Sequence, residues 1–238
     1  MMEKTLTDFL QRIKVTNQFR YERKFTAEGY SRQRILYYIK NHPALFREIF
    51  HKRQVNNIYF DTPAKQYYDD NVIGLAARKK IRIRWYGEVF GTIHQPKLEF
   101  KIKQGLVGDK WTFNLPPFEL TRNTSINWED LFRRADLPAP IREQLRELSP
   151  NLLNFYHRSY FRSADQRFRL TLDSQLGFYL LNRTFHNFSI ERQSKSLHIL
   201  ELKYNLQAAE AADTISNHFP FRMDKFSKYV TGLESTQK

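Results

Sequence analysis

From Arg78 the chain reads RKKIRIRWY, and from Lys97 it reads KLEFKIK. Neither stretch suits a helix, because charged and apolar residues alternate with period two and so point to opposite faces of a strand. Arg78, Lys80, Arg82 and Arg84 share one face, against Ile81, Ile83 and Trp85 on the other. Lys97, Glu99, Lys101 and Lys103 likewise oppose Leu98, Phe100 and Ile102. The pattern recurs in four more places. Arg20, Glu22 and Lys24 share a face, as do Arg158 and Arg162, and as do Glu201 and Lys203. Arg167, Arg169, Thr171 and Asp173 oppose Phe168, Leu170 and Leu172. A solvated face of an antiparallel sheet alternates in the same way, and that reading suffices for any one strand. Six strands together are different: their polar faces hold fourteen cations against the four carboxylates Glu22, Glu99, Asp173 and Glu201. Charge of one sign on that scale repels itself unless an anion offsets it.

The apolar faces need cover, and the sequence supplies helices for it. Helical spacing is expected at Met1–Ile13, Ser31–Asn41, Trp128–Ala135, Ile141–Leu148 and Gln207–His218, with a further turn or two after Asp224. Other strands are expected at Gln18–Thr26, Gln54–Asp61, Lys110–Leu115, Leu153–Arg162, Phe168–Asp173, Gly177–Leu181 and Leu197–Tyr204. Helices outside and charge inside describe an α+β fold, a β-barrel with a basic lumen that takes a polyanion. With 238 residues and no long linker, one domain spanning 1–238 is expected. Twenty Phe and 41% hydrophobic residues provide a core and exclude disorder as the main state. A net charge of +14 points to a polyanionic partner. No apolar run approaches a membrane span and no cysteine is present, which fits a cytoplasmic location and excludes thiolate metal sites.

Several chemistries are missing from the sequence. The seven histidines show no H-E-x-x-H spacing, and there is no Walker loop, G-x-G-x-x-G or G-x-S-x-G. Arginine forks match phosphate oxygens bidentately and lysines act as point charges. Cations at alternate positions on neighbouring strands suit a repeating anion better than folded nucleic acid. Hard divalent cations prefer carboxylate and phosphate oxygen, and Glu201, between Ile199 and Lys203 on a charged face, is the best-placed ligand. An ion pair between Glu201 and Lys203, or across strands, is the competing reading of the same residues.

The run YFDTP from Tyr59, followed by RKKIRIRWYG from Arg78, resembles the early barrel strands of the triphosphate tunnel metalloenzymes, or CYTH superfamily. More narrowly, RIRWYG, KLEFKIK, ILELKYN from Ile199 and KFSKY from Lys225 resemble the VTC polyphosphate polymerase domain, with the likeness running from Phe19 to Leu233. The resemblance implies an eight-stranded antiparallel tunnel holding triphosphate or polyphosphate, with Mn2+ or Mg2+ on acidic residues. Motif by motif, it makes Lys24, Arg82, Arg84, Lys101, Arg158 and Arg169 the catalytic cations and Glu201 the metal-binding glutamate. It places Lys103, Lys110, Lys225 and Lys228 on the substrate, and the strand alternation adds Lys80 and Lys203. Glu22 and Glu99 are the remaining metal candidates. CYTH hydrolases open with E-x-E-x-K, whereas here Arg20 takes the first position and leaves Glu22-x-Lys24. That departure argues against a two-metal triphosphatase and towards the VTC branch. The larger eukaryotic VTC proteins add an SPX sensor and membrane helices, which 238 residues do not accommodate, so regulation is not carried over. The expected activity is metal-dependent transfer of the γ-phosphate of ATP to a growing polyphosphate chain. A tripolyphosphatase of the same fold, or a non-catalytic module binding polyphosphate or RNA, are the alternatives.

Overall fold

Strand forms at each alternating stretch, though only from Arg169 in the stretch that begins at Arg167, among the described residues of this computed structural model, which are 20–104, 107–123, 126–182, 187–194 and 196–236. In chain order the strands are β1 (Arg20–Glu28), β2 (Arg47–Asp61), β3 (Ala77–Tyr86), β4 (Gly91–Ile93), β5 (Lys97–Gln104) and β6 (Val107–Asn114). They continue with β7 (Phe118–Leu120), β8 (Ser149–Arg162), β9 (Arg169–Asn182), β10 (Asn187–Ser194), β11 (Leu197–Asn205) and β12 (Arg222–Met223). Helices cover Arg32–Lys40, Gln66–Ile73, Trp128–Arg133, Ala139–Arg146, Ala209–Asn217 and Lys228–Thr236. The helix expected at Met1–Ile13 lies outside the described residues. Among those described, no helix is long and apolar enough to cross a membrane.

The result is an α+β fold with a mostly antiparallel sheet. The hydrogen-bonded order is β12-β1-β11-β9-β8-β2-β3-β5-β6, with β10 on β9, so ten strands enter the sheet among the described residues, where eight were expected. Among the described residues the order does not return to its start, and the expected closed barrel is not formed. The end strand β12 has two residues, facing only Phe25 and Thr26, and offers no ladder long enough to close a ring. Strand β9 unites two segments expected to be separate. Gln175 inside it has φ 55°, and this left-handed residue breaks the alternation on which the sequence reading relied.

The chain forms two compact units. The first holds Asn57–Leu153 and Leu180–Ile190; the second holds Phe19–Asn56, Asn154–Tyr179 and Glu191–Lys238. In the first unit the charged side chains take the even positions of β3 and the odd positions of β5, while Ile81, Ile83, Leu98 and Phe100 are buried on the alternate positions. Helix Trp128–Arg133 meets this core through aromatic edges, with Phe60–Trp128 centroids 5.2 Å and Phe60–Phe132 centroids 5.7 Å apart. Its start is capped by Asn127, whose side chain accepts from the Asp130 N–H at 2.9 Å. The helix Gln66–Ile73 was not expected from sequence. Its start is anchored by Asp61 of the YFDTP run, which is fully buried and accepts from the N–H groups of Thr62, Tyr67 and Tyr68 at 2.7–2.9 Å.

In the second unit, Phe25, Leu170, Leu172, Leu200, Leu202 and Tyr204 form the sheet side of a core covered by the helices carrying Ile35, Ile39 and Ala212. Ser31 caps the first of these helices, accepting from the Arg34 N–H at 3.2 Å. Arg23 fastens the second helix to β1 through the Ala212 carbonyl, Ser216 and Asp213, and its Nε donates to the Tyr204 hydroxyl on β11. Burying these apolar faces turns Glu22, Lys24, Asp173, Glu201 and Lys203 together onto the other side of the sheet.

Candidate functional site

In the first unit, antiparallel pairing lays the cations in rows. Lys80 faces Lys101 across β3–β5, and Lys101 faces Lys110 across β5–β6. The neighbouring row is Arg82, Glu99, Thr112, and Lys103 faces Arg78. Glu99, 5% exposed, is surrounded by cations. Arg82 reaches its Oε2 with Nε at 2.8 Å and Nη2 at 2.7 Å, Arg84 Nη1 lies at 3.7 Å, and Lys110 Nζ is 2.5 Å from Oε1. Burial alone would raise the Glu99 pKa. The charges of Arg82, Arg84 and Lys110 outweigh it and hold the carboxyl far below the usual range, so it is ionised. The arginines are fixed from a second side by β2. Arg84 Nε donates to Asn57 Oδ1 at 2.9 Å, and Arg82 Nη1 donates to the Tyr59 hydroxyl at 3.4 Å. Asn57 and Tyr59 share a strand parity with Asp61, and that spacing was the signal available for them in sequence.

The second unit holds two buried carboxylates on the same sheet face. Asp173 is fully buried and receives Arg158 bidentately, Nε to Oδ1 at 2.5 Å and Nη2 to Oδ2 at 2.7 Å, with Lys228 Nζ at 2.6 Å from Oδ2. Tyr156 lies under both cations, its ring centroid 5.2 Å from the Arg158 guanidinium and 4.6 Å from Lys228 Nζ. Burial raises the Asp173 pKa, but Arg158 and Lys228 lower it further, so it stays ionised. One row along, Lys24 on β1 faces Glu201 on β11, which faces Thr171 on β9; the next row is Glu22, Lys203, Arg169. Lys203 Nζ sits 2.5 Å from Glu201 Oε1 and 3.9 Å from Glu22 Oε2, so two carboxylates converge on one ammonium. Lys24 bonds Glu22 at 2.9 Å and donates to the Phe226 carbonyl at 2.9 Å. Glu201 is raised by burial but held well below the usual range by Lys203, Arg158, Lys24 and Lys228.

The sequence-predicted residues therefore fall into two groups. Lys80, Arg82, Arg84, Glu99, Lys101, Lys103 and Lys110 occupy one sheet face of the first unit. Glu22, Lys24, Arg158, Arg169, Glu201, Lys203 and Lys228 belong to the second. Lys225 is exposed, just before the last helix. The Glu201–Lys203 ion pair read as an alternative in sequence is formed. Asp173 was visible only as one carboxylate among four, and its hold on Arg158 and Lys228 spans segments too distant in sequence for spacing to show.

A profile of the VTC domain matches residues 18–237. This chain belongs to the VTC-domain family. No curated protein sequence matches it. Among solved structures, PH1819 from Pyrococcus horikoshii OT3 is 12% identical with TM-score 0.50, covering 90% of this chain and 99% of the other, which shows a shared fold. HpAC1 from Hippeastrum, an adenylyl cyclase candidate with a dominant triphosphatase activity, is 14% identical with TM-score 0.48, covering 91% of this chain and 97% of the other. In the VTC-domain chain described here, the family match spans both carboxylate-centred clusters.

Proposed function

We propose that this VTC-domain protein is a polyphosphate polymerase that moves the γ-phosphoryl group of ATP onto the end of a polyphosphate chain. The observation that carries this reading is the β3–β5–β6 face, where Lys80, Lys101 and Lys110 lie abreast beside Arg82 and Arg84 fixed on Glu99. Phosphoryl transfer asks a protein to position groups and to neutralise developing charge. Arginines held from two sides lose little freedom on meeting phosphate oxygens, and a row of ammonium groups matches a repeating anion. In the transfer, a terminal oxygen of the chain forms a bond to the γ-phosphorus of ATP, the β–γ bridging bond breaks, and ADP leaves with the electron pair. The match across residues 18–237 supports treating both units as parts of one domain.

The donor set of the second unit suits a hard divalent cation. Glu201 and Glu22 already converge on the Lys203 ammonium, and Mg2+ or Mn2+ typically takes one or two carboxylates together with substrate phosphates. No group of three or more His, Cys, Asp or Glu is placed to hold a metal among the described residues, so substrate oxygens would complete the shell. When bound, the ion would polarise a phosphoryl oxygen. In this reading Glu99 has a different part from the metal ligand considered in sequence, that of holding Arg82, Arg84 and Lys110.

Incubation with ATP and Mn2+, followed by separation of long-chain polyphosphate from free phosphate on a gel, tests the proposal. Long chains are expected. Free phosphate alone would make the protein a triphosphatase, and no turnover with tight polyphosphate binding would make it a binding module.

A further inference from the structure

The two carboxylates read above as ligands for a divalent ion already hold a cation, the ammonium of Lys203. Its Nζ is 2.5 Å from Glu201 Oε1 and 3.9 Å from Glu22 Oε2. Glu22 has a further partner in Lys24 Nζ, at 2.9 Å from Oε1. Two carboxylates and two ammonium groups thus meet with no net charge between them, and the charges of Arg158 and Lys228 also bear on Glu201. Mg2+ takes a carboxylate oxygen at about 2.0–2.1 Å. Lys203, bound to Glu201 Oε1, would put a like charge beside any such ion, in a buried place where water screens repulsion poorly. The Lys203 ammonium and a divalent ion therefore exclude one another.

Of the two partners, Lys203 is the one able to move. The Glu201 side chain is 9% exposed and that of Lys203 is 35% exposed. Strand pairing also gives the ammonium a second destination. Lys203 on β11 lies in register between Glu22 on β1 and Arg169 on β9. Directly opposed residues are about 5 Å apart, within the sweep of a flexible four-carbon stem. A phosphate oxygen held by Arg169 would offer Lys203 an anionic partner on the side away from Glu22.

We propose that Lys203 is a resident counter-cation, which keeps divalent metal off Glu201 and Glu22 until substrate phosphate draws its ammonium towards Arg169. The inference rests on the reading of Glu201 and Glu22 as metal ligands and adds what regulates them. Without substrate, Lys203 satisfies the buried carboxylate. With substrate, Lys203 neutralises phosphate and the carboxylates become available, so metal enters with the phosphate or after it.

The test measures Mn2+ binding to the whole protein without ATP, from the electron paramagnetic resonance signal of free Mn2+. Lys203→Met, which keeps the stem and removes the charge, should bind Mn2+ about tenfold or more tightly than the parent, a change within the usual range for coupled sites. Lys203→Arg, which keeps the charge, should bind as weakly as the parent. Adding Glu201→Gln to Lys203→Met should abolish the gain, which a purely structural ion pair would not show. Lys24, Arg158 and Lys228 still face Glu201 in Lys203→Met, so the variant should fold; thermal melts check this, and Lys203→Gln repeats the measurement with a side chain that can hydrogen-bond Glu201. Saturating tripolyphosphate, whose chelation of Mn2+ in solution is common to all variants, should narrow the gap between parent and Lys203→Met. Equal or weaker Mn2+ binding by Lys203→Met and Lys203→Gln, or a gap that tripolyphosphate leaves unchanged, would overturn the exchange while leaving the metal reading standing. Failure of parent and variants alike to bind Mn2+, with or without tripolyphosphate, would overturn both.

Discussion

The two clusters use buried carboxylates to different ends. Around Glu99 three cations, Arg82, Arg84 and Lys110, share a single carboxylate, and Lys80 and Lys101 lie in the adjoining row. Around Asp173 and Glu201 the signs are nearer to balance: Asp173 takes Arg158 and Lys228, and Lys203 is shared by Glu201 and Glu22. Lys110 is half exposed, whereas the side chain of Lys228 is only 10% exposed. A cation set that outnumbers its carboxylate still favours an incoming anion. A set matched to its carboxylates has little left to gain from one and is suited to holding geometry or a metal. Under the proposed function, the first unit would capture the anion and the second would organise charge.

The largest expected effect probes the matched side. Asp173→Ala leaves Arg158 and Lys228 without their buried carboxylate, and should cost about 3–5 kcal/mol of stability in urea titrations. Glu99→Gln should cost distinctly less, because Lys110 can turn to water. Equal losses would erase the distinction between the clusters. Next, Glu201→Gln preserves shape but removes the charge a divalent ion needs. Turnover of ATP should fall a hundredfold or more, about 3 kcal/mol, while polyphosphate affinity holds. An unimpaired variant would move the metal elsewhere. Arg82→Ala and Arg84→Ala should each weaken tripolyphosphate binding by at least about 1.5 kcal/mol without unfolding the protein, since Glu99 keeps two cations in each case. Normal binding with a depressed melting temperature would make these arginines structural.

The smallest effect separates the units by pH. His42 in the second unit is buried; its Nδ1 accepts from the Ala44 N–H at 3.0 Å, so Nε2 donates to the Ile215 carbonyl at 3.0 Å. Burial first, and then His218, lower its pKa. The neutral form is the folded form, and its contribution is whole above about pH 6.5 and lost as pH falls below that. The depressed carboxylates Glu99, Asp173 and Glu201 keep their contributions until pH falls below about 4. Between pH 7 and 5, hydrogen exchange should therefore quicken around residues 32–46 and stay constant in β3 and β5. A uniform response, or one abolished nowhere by His42→Gln, would remove His42 from the account.

Much of this was legible in the sequence. Parity alone separated Ile81, Ile83, Leu98 and Phe100 from the charged face, because burial of one side of a sheet enforces period two. The helix starting at Gln66 was not legible: its anchor, Asp61, acts through backbone N–H groups up to seven residues on and leaves no hydrophobic periodicity. Strand β9 was read as two pieces because Gln175 resets the parity. The number of strands and the open sheet order depend on pairings between distant segments. So do the partners of Glu99, seventeen residues from Arg82, and of Asp173, fifteen from Arg158.

The row of Lys80, Lys101 and Lys110 has a further consequence for how the protein responds to ionic strength. Like charges at directly opposed positions of a sheet destabilise it, and Lys101 and Lys110 are exposed enough for counter-ions to screen that repulsion. Without ligand, added salt should raise the melting temperature of the first unit. With polyphosphate bound, the same salt competes for the same ammonium groups and should lower it. The sign of the salt effect thus reports whether the row is occupied.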